Sequence, residues 1–144
     1  MIRSLQVNSG KVVEIVTTSE AMTRGMAVAY TPATGKVAKA TAYAGVAFVD
    51  VAPNYDGINS MVTPNDAQFE TIASGAKVLK ITPVSGEHYA TNQITVTGLA
   101  AGDKIEASAG LLIKSTTNAA NAPFVYVGAY DDPDFTGMYE FYVL

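Results

Sequence analysis

Short runs of valine, isoleucine, threonine and tyrosine recur along this chain, separated about every ten residues by glycine, proline, asparagine or aspartate. β-Branched and aromatic residues favour strands, and the separating residues favour turns. The pattern predicts an all-β fold, mainly β with at most one short helix, built as a compact antiparallel β-barrel or β-sandwich. The predicted strands are residues 12–17, 26–30, 36–40, 45–51, 77–81, 93–97, 104–107, 111–114, 124–130 and 138–144.

Two local patterns are especially informative. Between Tyr30 and Gly35, proline comes early and glycine late, which predicts a tight hairpin joining two strands. In residues 93–97, Ile94 and Val96 alternate with polar residues, which predicts a strand with one buried face.

One segment favours a helix. Thr63 suits the N-cap, Pro64 suits the first helical position, and Gly75 could close the end. The buried stripe of this helix would consist of Phe69, Ile72 and Ala73. A strand over residues 69–72 is the competing interpretation.

Residues 24–50 and 101–131 resemble each other. In each stretch a glycine opens a strand, a short turn leads to a second strand, and a third strand containing valine, alanine and an aromatic residue follows. This similarity predicts a supersecondary unit that occurs twice.

Length and charge limit the possible functions. At 144 residues and 15.0 kDa the chain has the size of one domain. Only 15% of residues are charged, against about 25% in soluble domains, so we expect part of the surface to be covered by a partner. The net charge of −4 and the absence of a basic run argue against nucleic acid. No cysteine is present, which excludes disulfides and thiolate catalysis.

Nothing in the sequence indicates a membrane span or a secretory signal, so we expect synthesis in the cytoplasm and no membrane partner. Residues 1–20 are interpreted as an N-terminal arm and first strand, and residues 21–144 as a single β-rich domain. Within residues 1–10 the pattern favours an arm that leaves the body, with a first barrel strand as the alternative.

The search for catalytic chemistry is mostly negative. The single histidine, His88, lies in a polar segment that predicts a loop, and no triad spacing or nucleotide-binding motif accompanies it. We therefore expect a protein that is not an enzyme and that needs no cofactor.

An acidic segment near the C-terminus is a weak candidate for a cation site. Asp132, Asp134 and Thr136 alternate as oxygen donors before Gly137, which partly matches a calcium loop. The bidentate glutamate of that loop would be due at Val143, so a simple turn is the favoured interpretation.

Three segments resemble the capsid decoration, or cement, proteins of tailed bacteriophages: residues 23–28, 34–41 and 45–48. They give a strand opened by glycine, a Gly-Lys-Val turn and a Gly-Val-Ala strand, and residues 101–105 and 127–130 echo the same pattern. The resemblance covers about two thirds of the chain, and the insert at 53–75 has no counterpart in it.

The resemblance implies a non-enzymatic virion protein on the exterior of an icosahedral head, often trimeric, that bridges neighbouring major capsid subunits. As a separate hypothesis, residues 1–10 would add a strand to an exposed edge of the major capsid protein, so that deleting this arm abolishes capsid binding and leaves the fold intact. The residues assigned to this contact are Met1, Ile2, Arg3, Leu5 and Val7.

Two other classes stay open from the residues alone. Similar hairpins build phage tail-tube or fibre proteins, which assemble without a capsid. The acidic segment and its tyrosines would suit a calcium-dependent binding module for carbohydrate.

Overall fold

The computed structural model describes residues 1–6, 13–41, 45–51, 70–116 and 119–144. These residues form thirteen strands and no helix, which confirms the all-β prediction. The strands are β1 (Ile2–Gln6), β2 (Val13–Thr18), β3 (Met22–Thr23), β4 (Ala27–Thr31), β5 (Lys36–Lys39), β6 (Val46–Val51), β7 (Thr71–Ile72), β8 (Lys77–Ile81), β9 (His88–Thr91), β10 (Lys104–Ser108), β11 (Leu111–Lys114), β12 (Phe124–Ala129) and β13 (Tyr139–Val143).

Five of these strands close a barrel in the order β2-β5-β4-β6-β8. Neighbours in the barrel are antiparallel except β2 and β5, which are parallel. The predicted hairpin joins β4 to β5: the N–H groups of Thr34 and Gly35 donate to the carbonyl of Thr31, at 3.1 and 2.9 Å. Gly35 has a φ of 66°, which explains why glycine stands there.

A six-stranded sheet contains the second part of the chain, in the order β1-β9-β13-β12-β10-β11. A small ribbon of β3 and β7 is separate from both larger structures. Without β1, the sheet has the strand order β9-β13-β12-β10-β11, and the barrel followed from β2 is β2-β8-β6-β4-β5. Both orders are antiparallel at every step. We call these five-strand units the first repeat (β2, β4, β5, β6, β8) and the second repeat (β9 to β13).

The register of the two repeats is the same. Ala27 is paired with Phe48 in the first repeat, and Lys104 with Val125 in the second. Both members of the second pair lie 77 residues after their counterparts (104 against 27, and 125 against 48). The predicted repetition is therefore confirmed, and it extends to five strands.

Hydrogen bonds just before β4 of the first repeat and β10 of the second repeat follow the same offset. The N–H of Gly25 donates to the carbonyl of Val49 at 2.8 Å, and the N–H of Gly102 donates to that of Tyr126 at 2.9 Å. Both glycines have a left-handed backbone, with φ of 88° and 91°. At these two positions the turn requires glycine, which is why it precedes both strands.

The two repeats also close in the same way. A parallel pairing of Thr18 with Val37 joins β2 to β5, and an isolated parallel bridge of Ile94 with Leu112 lies at the corresponding place of the second repeat. The prediction of a strand over residues 93–97 is wrong, because only this bridge forms and the chain then turns at Gly98. Its assignment of faces holds, since Ile94 and Val96 pack against the core.

Two clusters of buried side chains hold the molecule together. The first lies between the first repeat, which contributes residues such as Val28 and Val49, and the small ribbon, which contributes Met22 and Ile72. The second joins the repeats, because Phe48 from β6 packs on the aromatic residues of the second repeat. Its ring centroid lies 6.0, 5.5 and 5.3 Å from those of Tyr89, Phe124 and Phe141.

The predicted helix is wrong where the structure describes it. Thr71 and Ile72 form strand β7, paired with β3. Ile72 is buried as expected, but Ala73 is exposed, because a strand turns alternate residues to opposite faces. The competing strand interpretation holds for residues 71–72. The part of both interpretations that precedes residue 70, including Phe69, lies outside the described residues.

Candidate interaction surfaces

Strand β1 belongs to the body of the protein, in contrast to the predicted outward arm. It pairs antiparallel with β9, from Ile2 opposite Thr91 to Gln6 opposite His88. Ile2 is buried in the core that joins the repeats. Apolar burial and a full ladder outweigh the freedom of a terminal segment. Deleting residues 1–10 would remove β1 and uncover this edge of β9, so the structure favours a loss of stability on deletion over an intact fold.

The first residue is held by several polar groups. The amino group of Met1 donates to the carbonyl of Arg24, to Oδ1 of Asn92 at 2.6 Å and to Oε2 of Glu70 at 3.3 Å. The carbonyl of Met1 accepts a hydrogen bond from Oγ1 of Thr91 at 2.9 Å. Burial lowers the pKa of this amino group, although the Glu70 carboxylate acts in the opposite direction.

Arg3 fastens the acidic segment onto β1. Its Nη1 lies 2.9 Å from Oδ2 of Asp132, and its guanidinium lies 4.1 Å from the ring centroid of Phe135 and 5.6 Å from that of Tyr130. Partial desolvation raises the pKa of the Tyr130 hydroxyl, and its hydrogen bond to Asp132 acts in the same direction. Arg3 is thus a structural cation for this loop.

The remaining residues assigned to capsid contact have different surroundings. Leu5 is half-buried in β1, and Val7 lies outside the described residues. Because Ile2 is buried and Met1 is held by the body, a contact through β1 would use its outer edge and the exposed Ser4.

The candidate cation ligands do not converge in the structure. Oδ1 of Asp132 accepts the backbone N–H of Asp134 at 3.0 Å, while its Oδ2 is engaged by Arg3 and by the Tyr130 hydroxyl. Thr136 is exposed. Among the described residues, no three His, Asp or Glu side chains are grouped to hold a metal ion.

His88 is the first residue of β9, so the predicted loop is wrong at this position. Its Nδ1 lies 2.9 Å from Oε1 of Glu140, and its ring stacks on Tyr142 with centroids 5.6 Å apart. The preceding residue, Glu87, is fully buried and accepts hydrogen bonds from the Val84 N–H and the Tyr89 hydroxyl. Sequence reasoning missed this strand because the charged residue just before it, Glu87, is typical of a loop, although its carboxylate is buried here.

Polar contacts hold the turn that precedes β10. Oδ2 of Asp103 accepts the N–H of Ala100 at 2.8 Å and lies 2.6 Å from Nζ of Lys114. The hydrogen bond from Lys114 holds the pKa of the Asp103 carboxyl below its usual value. These contacts fix the turn into β10.

A cleft of about 320 Å³ lies where the two repeats meet. Its walls include Tyr30, Val46 and Lys80 from the first repeat and Phe124 and Val143 from the second. Nζ of Lys80 lies 4.9 Å from the centroid of the Tyr30 ring and also forms an ion pair with Glu14. The lysine charge is thus already compensated within the first repeat.

Strand β2 carries the most exposed apolar pair on a described strand. Val13 is 48% exposed and Ile15 is 59% exposed, and both lie on the same face of the strand. Sequence reasoning placed this strand but not its exposed face, since alternation alone does not say which side is covered.

Comparisons of the chain with protein-family models, with curated proteins and with solved structures found no match. Within the described part of the chain, no helix is long and apolar enough to span a membrane.

Proposed function

We propose that the chain is a non-enzymatic structural protein of a tailed-phage virion, which binds the outer surface of the capsid and bridges neighbouring major capsid subunits. One observation carries the proposal. The segments that resemble decoration proteins fall mainly on β4, β5 and β6, which form one continuous sheet in the order β5-β4-β6. Their echo, residues 101–105 and 127–130, falls on β10 and β12, which lie in a matching sheet of the order β11-β10-β12.

The repeated architecture suits a bridging role. A protein that ties two subunits together needs two attachment surfaces held at a fixed separation. The two repeats supply similar strands at similar registers, and the aromatic cluster around Phe48 joins them through a common core. The chain contains no cysteine, so this stability rests on burial and strand pairing.

In this proposal the partners are the major capsid protein and further copies of the chain, assembled as trimers on the head exterior. No cofactor, nucleic acid or membrane takes part. The rival role as a tail-tube or fibre protein differs in one observable respect, because such a protein assembles into rings or tubes without any head.

Sedimentation with expanded empty heads of the encoding phage tests the proposal. Purified protein is titrated onto the heads, and the bound fraction is measured after pelleting, with unexpanded heads as the control. We expect saturable binding at a stoichiometry that matches the symmetry of the shell. Protein that stays in the supernatant at all concentrations, or that pellets as rings or tubes without heads, contradicts the proposal.

A further inference from the structure

The two repeats each present a strand edge at the same place. Across the first repeat, Val49 pairs with Lys80, and Lys80 pairs with Glu14. Across the second repeat, Tyr126 pairs with Phe141, and Phe141 with Tyr89. Since Val49 corresponds to Tyr126, Glu14 of β2 corresponds to Tyr89 of β9. Residues 13–16 of β2 are therefore the counterpart of β9, His88–Thr91.

In the second repeat an extra strand occupies this edge. Strand β1 pairs antiparallel with β9 from Ile2 opposite Thr91 to Gln6 opposite His88, with an irregularity between Ser4 and Gln6. It is additional to the five strands of the repeat, because no described strand of the first repeat corresponds to it. The edge thus accepts an extended segment without any change in the repeat itself.

In the first repeat, the described residues place no strand on this edge. Strand β5 pairs with β2 at Thr17 and Thr18 only, which leaves the outer edge of residues 13–16 without a described partner strand. The exposed side chains of Val13 and Ile15 lie along this stretch. Unpaired edges next to exposed apolar side chains are the usual acceptors of an added strand.

We propose that the outer edge of residues 13–16 accepts an extended segment of the major capsid protein, which pairs antiparallel with β2 as β1 pairs with β9. The inference rests on the proposed function for the identity of the partner. The segment would be about four residues long, since β5 blocks the edge beyond Val16. Apolar residues at every second position would cover Val13 and Ile15.

Pairing of β2 with β2 of a second copy fits the edge less well. In an antiparallel pair, directly opposed side chains lie on the same face of the sheet. Two copies related by a two-fold axis must therefore place one residue opposite itself, and the middle of this edge offers Glu14 or Ile15 for that position. Placing Glu14 opposite Glu14 brings two carboxylates together, which is unfavourable. Placing Ile15 opposite Ile15 requires Thr17, whose edge is already taken by Lys36 of β5.

The test compares head binding of the full chain with that of two lysine variants. Ile15→Lys puts a charge on the edge, whereas Val84→Lys puts the same charge on a residue that is 40% exposed and lies between β8 and β9, outside every strand. We expect Ile15→Lys to weaken head binding at least about tenfold, which corresponds to about 1.4 kcal/mol. Val84→Lys should bind like the wild type.

Circular dichroism and thermal unfolding first establish that each variant is folded. If Ile15→Lys does not fold, Ile15→Thr replaces it, because threonine keeps the strand preference and removes the apolar surface. Head binding of a folded edge variant at wild-type strength overturns the inference and leaves the proposed function standing. If the wild type itself ignores the heads, the proposed function fails and the inference with it.

Light scattering on the same variants tests whether a second copy of the chain, and not the capsid protein, binds this edge. A wild-type oligomer that becomes a monomer on Ile15→Lys would identify the edge as a contact between copies of the chain, and would overturn the assignment to the capsid protein. An unchanged oligomeric state together with lost head binding supports it.

Discussion

Phe48 joins the two repeats, so its truncation should destabilise both at once. The side chain is fully buried, and three aromatic rings surround it with centroids 5.3 to 6.0 Å away. Replacing a buried phenylalanine by alanine costs about 3–5 kcal/mol, a range that already includes the lost contacts with neighbouring rings. Because three rings surround Phe48, we expect Phe48→Ala to lose unfolding free energy at the upper end of this range, about 4–5 kcal/mol.

The neighbouring residue supplies a matched control. Val49 is also fully buried but lies in the cluster between the first repeat and the small ribbon. Truncating it removes the equivalent of two methylene groups, so Val49→Ala should cost about 2 kcal/mol.

Urea unfolding followed by circular dichroism measures both losses. With a slope of about 2 kcal/mol per M, Phe48→Ala should lower the midpoint by about 2 M and Val49→Ala by about 1 M, each in a single transition. A loss below about 2 kcal/mol for Phe48→Ala, or two separate transitions of which only one moves, would refute a common core.

Three further substitutions test individual contacts. Arg3→Ala should lower the unfolding free energy by about 1 kcal/mol. It should also raise the pKa of Tyr130 further, because the arginine charge lowers that pKa. Ultraviolet titration of the tyrosinate measures the pKa, and an unchanged pKa counts against the contact. Asp103→Asn removes the stabilising ion pair with Lys114. The pKa of the Asp103 carboxyl lies below its usual value in the folded protein, so the pair stabilises the fold above the usual pKa. This stabilisation disappears as the pH falls through the lowered pKa of the folded state. Melting temperatures of wild type and variant should therefore differ at neutral pH and converge at about pH 2, and a constant difference would contradict the pairing. Ala109→Asn should gain about 1 kcal/mol in thermal unfolding, because Ala109 has a φ of 49° in a two-residue turn that favours Asn-Gly; a loss would show that the turn does not strain alanine.

The sequence was sufficient for the strands that carry regular signals. The turn at Gly35 and the alternation of β-branched residues located β4, β5 and β6, and the glycines at 25 and 102 revealed the repetition. These signals are local, because a left-handed turn and a period of two leave their mark within a few residues.

The full extent of the repeat was hidden because equivalent positions have different chemistry. Glu14 and Lys80 form a cross-strand ion pair in the first repeat, where Tyr89 and Phe141 stack in the second, with centroids 5.7 Å apart. Strand pairing preserves the position of each residue but not its type, so only the register reveals the correspondence.

The candidate site was predicted least well, because it depends on tertiary contacts. Arg3 and Asp132 are 129 residues apart in sequence, yet they form an ion pair. This pair connects the segment that was predicted to be a free arm with the segment that was predicted to be a cation loop. The exposed face of β2 likewise depends on which neighbours cover it. No spacing in the sequence carries that information.

Electron cryomicroscopy of intact virions of the encoding phage would show where this chain lies. We expect density for the chain on the head exterior, at symmetric positions between neighbouring capsid subunits, with a capsid segment continuing the sheet beside residues 13–16. Smooth heads, or density for this chain in the tail instead, would contradict this expectation.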